Sequence, residues 1–184
     1  RGVGGDLPEQ IARMGVEPRM LPPDVVLPDG GRYHGETRDG RFHGEGTLVW
    51  DDGERYVGEF AAGRFDGQGR YTFDNGDVYT GGFVDGRFHG HGRLVRADGA
   101  VRAGRWADDR LVIGRHADAQ GNVYEGRFED GRYAGAGRYE TPGGDVYRGT
   151  FRDGRLHGRG MHTTAGGRRY IGAFDHWVAF GLLV

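Results

Sequence analysis

Hydrophobic and polar positions in this chain alternate in short runs that return at a fixed interval. Tyr33, Tyr56, Tyr79, Tyr124, Tyr147 and Tyr170 each open a run of the form Tyr-x-Gly, and Arg102 stands in the same slot between Tyr79 and Tyr124. Successive spacings are 23, 23, 23, 22, 23 and 23 residues. In the copy at 56–78, aromatics hold the first and fifth positions and Gly the third, eighth, twelfth, fourteenth and twenty-first. The first five residues alternate aromatic, polar, Gly, polar, aromatic, which is the two-residue period of a strand. Asp-Gly at the seventh and eighth positions, as in Asp39-Gly40, Asp85-Gly86, Asp130-Gly131 and Asp153-Gly154, suits the positive φ angles of a tight hairpin turn. A second strand then carries the twelfth, fourteenth, sixteenth and eighteenth positions on one face, and a polar loop such as Asp74–Asp77 leads to the next hairpin. Polar residues such as Glu59, Gln68 and Arg70 take the opposite face. Gly weakens a strand, so its regular return calls for a reason. The reason expected here is an aromatic ring lying flat over bare backbone on a neighbouring strand.

A unit of this kind, Tyr-x-Gly-x-aromatic-x-x-Gly-x-x-x-Gly-x-Gly, resembles the MORN (membrane occupation and recognition nexus) repeat, and it recurs between residues 33 and 172. The resemblance implies an all-β fold: an elongated, single-layer antiparallel sheet of stacked β-hairpins, six full repeats and a partial seventh. Two strands per hairpin at about 4.8 Å each would make six repeats roughly 60 Å long. It also implies a non-enzymatic scaffold or interaction module, and association with phospholipid membranes as a proposal made for the family.

The expected organisation is an N-terminal helix and Pro-rich arm over 1–32, then a repeat domain over 33–184 closed by an apolar cap. Asp6 as N-cap with Pro8 in the first turn marks the helix, and Pro22, Pro23 and Pro28 an extended connector. Two repeats depart from the pattern. The first has Thr37 in its second aromatic slot. The fourth has Arg102 for Tyr and Asp109 for Gly, keeps Trp106 as its aromatic, and is one residue short. A gap just after Arg110 would put Val112 in the first Gly slot and Gly114 in the second, and the stacking there is expected to bend or loosen. The tail from Trp177 to Val184 is the most apolar stretch and reads as a cap on the last hairpin or a homodimer contact at the C-terminal edge.

Composition narrows the chemistry. Of 184 residues 39 are Gly and 12% are aromatic, too much ring surface for a disordered chain. The net charge of −2 gives no overall basic excess, which argues against nucleic acid as a partner. All 25 basic residues are Arg, and neither Ser nor Cys occurs to serve as a nucleophile. No catalytic set, metal site or cofactor is expected. His43, His89 and His157 share the eleventh position, but repeats two apart are separated by about 20 Å, far beyond ligand bonds of about 2 Å.

Two rows invite a binding role. The sixteenth and eighteenth positions are most apolar near the start of the array, making Leu48, Trp50, Tyr71, Phe73 and Leu94, with Trp106, the candidate partner-binding residues. A helix or extended segment of another protein would sit in the groove they line. Alternatively, residues 1–30 fold back over it through Leu7, Ile11, Met14 and Met20. On this reading Trp50 and Phe73 supply affinity with little stability, whereas Tyr56 supplies stability. The ninth position is Arg41, Arg64, Arg87, Arg110, Arg132 and Arg155. This row reads either as an anion-binding stripe for lipid phosphates or as local pairing with the Asp two residues earlier. The leading functional reading is a protein-interaction scaffold. The alternatives are a phospholipid-tethering module and a bacterial immunity or antitoxin-like protein that docks on and blocks an enzyme. A cytoplasmic or membrane-peripheral location is expected if the chain is complete, and the bacterial periplasm if an N-terminal signal was removed.

Overall fold

Every 23-residue repeat folds as the hairpin its pattern demands. In the computed structural model residues 24–177 are described, with side chains from 25 to 174. The helix expected at Asp6 and the tail 178–184 lie outside the described residues. Fourteen strands follow: β1 Asp24–Val26, β2 Arg32–Arg38, β3 Arg41–Val49, β4 Arg55–Ala61, β5 Arg64–Thr72, β6 Val78–Val84 and β7 Arg87–Val95. They continue as β8 Val101–Ala107, β9 Arg110–Ala117, β10 Val123–Glu129, β11 Arg132–Glu140, β12 Val146–Arg152, β13 Arg155–Thr163 and β14 Arg169–Trp177. The chain divides into two compact units, one running to Ala97 with Ala107–Asp109, the other holding Asp98–Trp106 and everything from Arg110. In the first, β1 to β7 pair antiparallel in chain order. In the second, β9 to β14 do the same.

β1 lies within the stretch read from sequence as an extended connector, where Asp24–Val26 pairs with Arg32–His34. Val25-Val26-Leu27 with Asp29-Gly30 occupies the places of Leu48-Val49-Trp50 with Asp52-Gly53 one repeat later, and Val25 and Leu27 are buried accordingly.

The hairpin turns carry the expected geometry, with φ of 49° at Asp39 and 74° at Gly40. Such angles suit Asp and Gly. The repeat then bonds forward. The turn N–H of Gly63 donates to the Phe42 carbonyl at 3.0 Å, and that of Gly86 to Phe65 at 2.8 Å.

The core is a column of rings. Tyr56 stacks on Phe65 of its own hairpin, with centroids 3.9 Å apart and planes at 14°. Tyr33–Phe42, Tyr79–Phe88 and Tyr124–Tyr133 repeat this geometry. The tenth position is therefore a core slot, filled by Phe42, Phe65, Phe88, Leu111, Tyr133 and Leu156, five of them buried. Phe60, at the fifth position, meets Tyr56 and Phe65 edge-on and also Tyr33 and Phe42 of the previous repeat. It interlocks two successive hairpins. Beneath four of the opening tyrosines, Tyr33, Tyr56, Tyr79 and Tyr124, lies the Gly at the fourteenth position: a Cβ on Gly46 would stand 2.6 Å from Cε2 of Tyr33, whereas Tyr147 stacks on His162 and Gly160 faces Phe174. No side chain larger than hydrogen fits under those four rings. The Tyr hydroxyl then donates back to the carbonyl three residues on, Tyr56 to Glu59 at 2.6 Å and Tyr124 to Arg127 at 2.8 Å.

The missing residue of the fourth repeat falls elsewhere than expected. Leu111 is buried like the other tenth-position residues, so the gap follows it and does not precede it. Elsewhere a bulge with a positive-φ Gly, such as Gly67 at 98°, opens between the tenth and fourteenth positions. In β9 only Val112 and Ile113 separate Leu111 from Gly114, and the bulge Gly is absent. The strand pairing itself survives.

Phe60→Ala should cost about 3–5 kcal/mol in chemical unfolding, since it empties the contact between two repeats. Burial pushes the hydroxyls of Tyr33 and Tyr124 up to about 12, against an ordinary 10. The folded state thus holds these protons more tightly than the unfolded chain. Stability is fully present below about pH 10 and lost as pH rises through about 12. Melting temperature should be flat up to about pH 10 and fall from there as the pH approaches 12, with tyrosinate absorbance rising together with unfolding.

Candidate protein-interaction site

The residues named from sequence divide by burial. Leu48 and Tyr71 are fully buried, and Trp50 and Trp106 retain 5% and 3% exposure. These four offer a partner almost no surface. Phe73 and Leu94 are half-buried and are the accessible part of that row.

Trp50 shows why. Its position closes the loop between hairpins and does not belong to a strand: its N–H donates to the Glu54 carbonyl at 2.9 Å and its carbonyl accepts from Gly53. The indole reaches back to the preceding loop, where Nε1 donates to Asp29 at 2.8 Å. The ring lies against Gly31, where an added Cβ would come within 2.7 Å of Nε1. One repeat later the place of Gly31 is taken by Glu54, itself buried, and Phe73 keeps more of its surface. Phe73 meets Tyr71 edge-on at 4.9 Å and Phe88 at 6.2 Å. Tyr71 and Leu94 are the ladder partners of Tyr79 on either side, so Phe73 and Leu94 flank a buried ring two strands apart. The Tyr71 hydroxyl beside them is buried without a hydrogen-bond partner.

Four of the six ninth-position arginines find their acids in the following hairpin and not two residues earlier. Arg64 faces Asp85 at 3.7 Å, Arg87 Asp108 at 3.8 Å, Arg110 Asp130 at 2.7 Å and Arg132 Asp153 at 3.9 Å. All eight side chains are largely exposed, so each pair is weak. Arg41 has no such partner because Ala62 holds the Asp slot of the next turn. Asp109 replaces the turn Gly at φ 70°, and its carboxylate accepts the Phe88 N–H at 2.8 Å. Burial raises the Asp109 carboxyl, against that hydrogen bond and the Arg87 charge, which lower it.

Among the described residues no three His, Asp or Glu side chains gather as a metal site, and no helix is long and apolar enough to cross a membrane. What the site presents is a ring column closed on itself, two half-open apolar side chains, and charged hairpin tips. Such an arrangement suits contact with another macromolecule. The tenth-position core slot and the backward reach of Trp50 escape the sequence reading. Recurrence of an apolar class, in place of one residue type, is the available signal for the first.

A stacked-hairpin repeat with these contacts defines a class of solenoid-like β proteins. The chain belongs to the MORN repeat family, which matches at residues 33–55, 56–78, 79–101, 124–146 and 147–167 and leaves out the irregular fourth repeat. That family is a non-catalytic scaffold fold. A comparison with curated proteins gave no match. Among solved structures, the SAS-4 TCP domain of Drosophila melanogaster, in complex with a proline-rich motif of Ana2, is similar at 12% identity and TM-score 0.53. The alignment covers 82% of this chain and 83% of that one. The TCP10c domain of Drosophila melanogaster Sas-4 aligns at 12% identity over 82% and 91% of the chains, TM-score 0.46. The TCP10 domain of Danio rerio CPAP aligns at 15% over 82% and 76%, TM-score 0.32. The likeness shows the fold alone.

Trp50→Ala should cost about 3–5 kcal/mol in stability, as buried aromatic truncations do. Phe73→Ala, measured by the same thermal melt, should cost markedly less.

Proposed function

We propose that the chain is a protein-binding module that takes an extended segment of a partner against the ring-bearing side of its first unit, at Phe73 and Leu94. The observation that carries this reading is the contrast in burial along one row: its other aromatic and aliphatic members are spent on the core, and these two stay accessible. The fold likeness to a domain solved with a proline-rich motif supports an extended segment as the ligand form. Proline-rich segments are pre-ordered and dock on aromatic side chains at low entropic cost.

A displayed library of extended peptides, proline-rich ones included, tests the reading. Peptides selected on the wild type should lose at least about 2 kcal/mol of affinity on the Phe73→Ala, Leu94→Ala double variant, the usual threshold for an interface anchor. If the selected peptides bind both proteins equally well, the ring side is not the binding face.

A further inference from the structure

The net charge of −2 hides a division between the two units. Within the described side chains, the first unit holds nine Arg against fourteen Asp and Glu, a balance of −5. The second holds thirteen Arg against eight Asp and Glu, a balance of +5. A charge difference of this size between parts of one chain points to an oppositely charged partner.

In the second unit the excess gathers on the polar face. Ladder partners there form one row across six strands: Arg115, Glu125, Arg138, Arg148, Met161 and Ile171. Directly opposed residues share a face and lie about 5 Å apart. Two of the row's arginines are answered within the chain, Arg115 by Glu125 at 3.5 Å and Arg138 by Glu140 at 2.8 Å. Arg148 stands directly opposite Arg138, is exposed, and makes no ion pair among the described residues. Arg127, two residues beyond Glu125, and Arg159, two before Met161, lie on the same face, exposed and likewise without a carboxylate. Like charges set opposite each other in a ladder destabilise a sheet, so the arrangement does not serve the fold. Beside the unanswered arginines the row turns apolar, ending in Ile171 at 72% exposure.

We propose that this face docks an acidic, extended segment of a partner protein. Its carboxylates pair with Arg127, Arg148 and Arg159, and an apolar side chain rests on Met161 and Ile171. Arg suits this task because its planar fork pairs bidentately with carboxylate. Glu125, fixed inside the row, favours a ligand with a set sequence over a fluid anionic surface, because a peptide can place an uncharged residue opposite it. The proposal rests on the protein-binding reading above but not on the ring-side face.

The test uses the full chain and a labelled peptide of alternating Glu and Thr with one central Leu, at low and physiological salt. The wild type should bind it in a salt-dependent manner, and a peptide with Lys for Glu should not bind. The double variant R148E/R159E should lose about tenfold or more in affinity, the scale of a charge-assisted contact. Its melting temperature should hold, because a carboxylate at position 148 would face Arg138 favourably. The Phe73→Ala, Leu94→Ala variant should bind the acidic peptide as the wild type does, which separates this proposal from the ring-side one. Undiminished peptide binding by R148E/R159E would overturn the proposal. So would binding to vesicles of phosphatidylserine and phosphatidylcholine with none to the peptide. Sedimentation showing that R148E/R159E only dissociates a dimer, with the acidic unit of a second copy as the occupant, would overturn it as well.

Discussion

A tyrosine ring lying flat on a glycine backbone is the contact on which this protein depends. A β-sheet with one layer has nothing to bury its apolar face against, and the usual remedy is a second sheet or a set of helices. Here the remedy is internal to the hairpins that open with Tyr33, Tyr56, Tyr79 and Tyr124. The opening Tyr folds over its own hairpin, covers the Gly at the fourteenth position, and returns its hydroxyl to a carbonyl of its own strand. Phe would cover the Gly equally well, but the carbonyl would lose its partner; a residue with a Cβ in place of the Gly would lift the ring. Each member of the pair therefore fixes the other.

From that contact the rest follows in steps. The covered Gly brings the ring close enough to stack on the tenth position, and the stack offers its edge to the Phe at the fifth position of the next repeat. Interlocked in this way, successive hairpins need little from their polar parts. The forward Arg–Asp pairs at the tips and the loop bonds, such as Asp77 to the Ala97 N–H at 2.9 Å and Asp145 to the Ala165 N–H at 2.9 Å, set register more than they add stability. The polar face is consequently free to vary in charge from one unit to the other, as Glu45 opposite Glu59 in the first and Arg138 opposite Arg148 in the second illustrate.

Much of this is legible in the sequence, and the exceptions have physical causes. Hairpin length, the Asp-Gly turn and the ring-over-glycine contact can be read because each requires a particular residue at a fixed place. The tenth position cannot be read so easily: Phe, Leu and Tyr all fill it, since stacking there asks only for a broad apolar surface. Trp50 reads as a surface anchor from sequence because its burial depends on Gly31 and Asp29, residues beyond the recognised start of the array. β1 escapes the pattern for the same cause, having no Tyr of its own and only Asp29-Gly30 to mark it. The partition of charge vanishes in the whole-chain average.

The forward-reaching contacts also bear on how such a chain can change its length over evolution. Each joins fixed positions in adjacent repeats, so duplicating or excising a whole block of 23 residues leaves every remaining contact with a partner of the right kind. A change by a single residue would derail the array unless some element could absorb it. The fourth repeat, at 22 residues, shows where that slack resides: the bulge Gly is gone and Leu111 and Gly114 keep their places. The bulge serves as an expansion joint. A residue lost at that point leaves Leu111 buried and β9 paired with β10, whereas a slip in a turn or under a tyrosine would displace a residue that its contact requires.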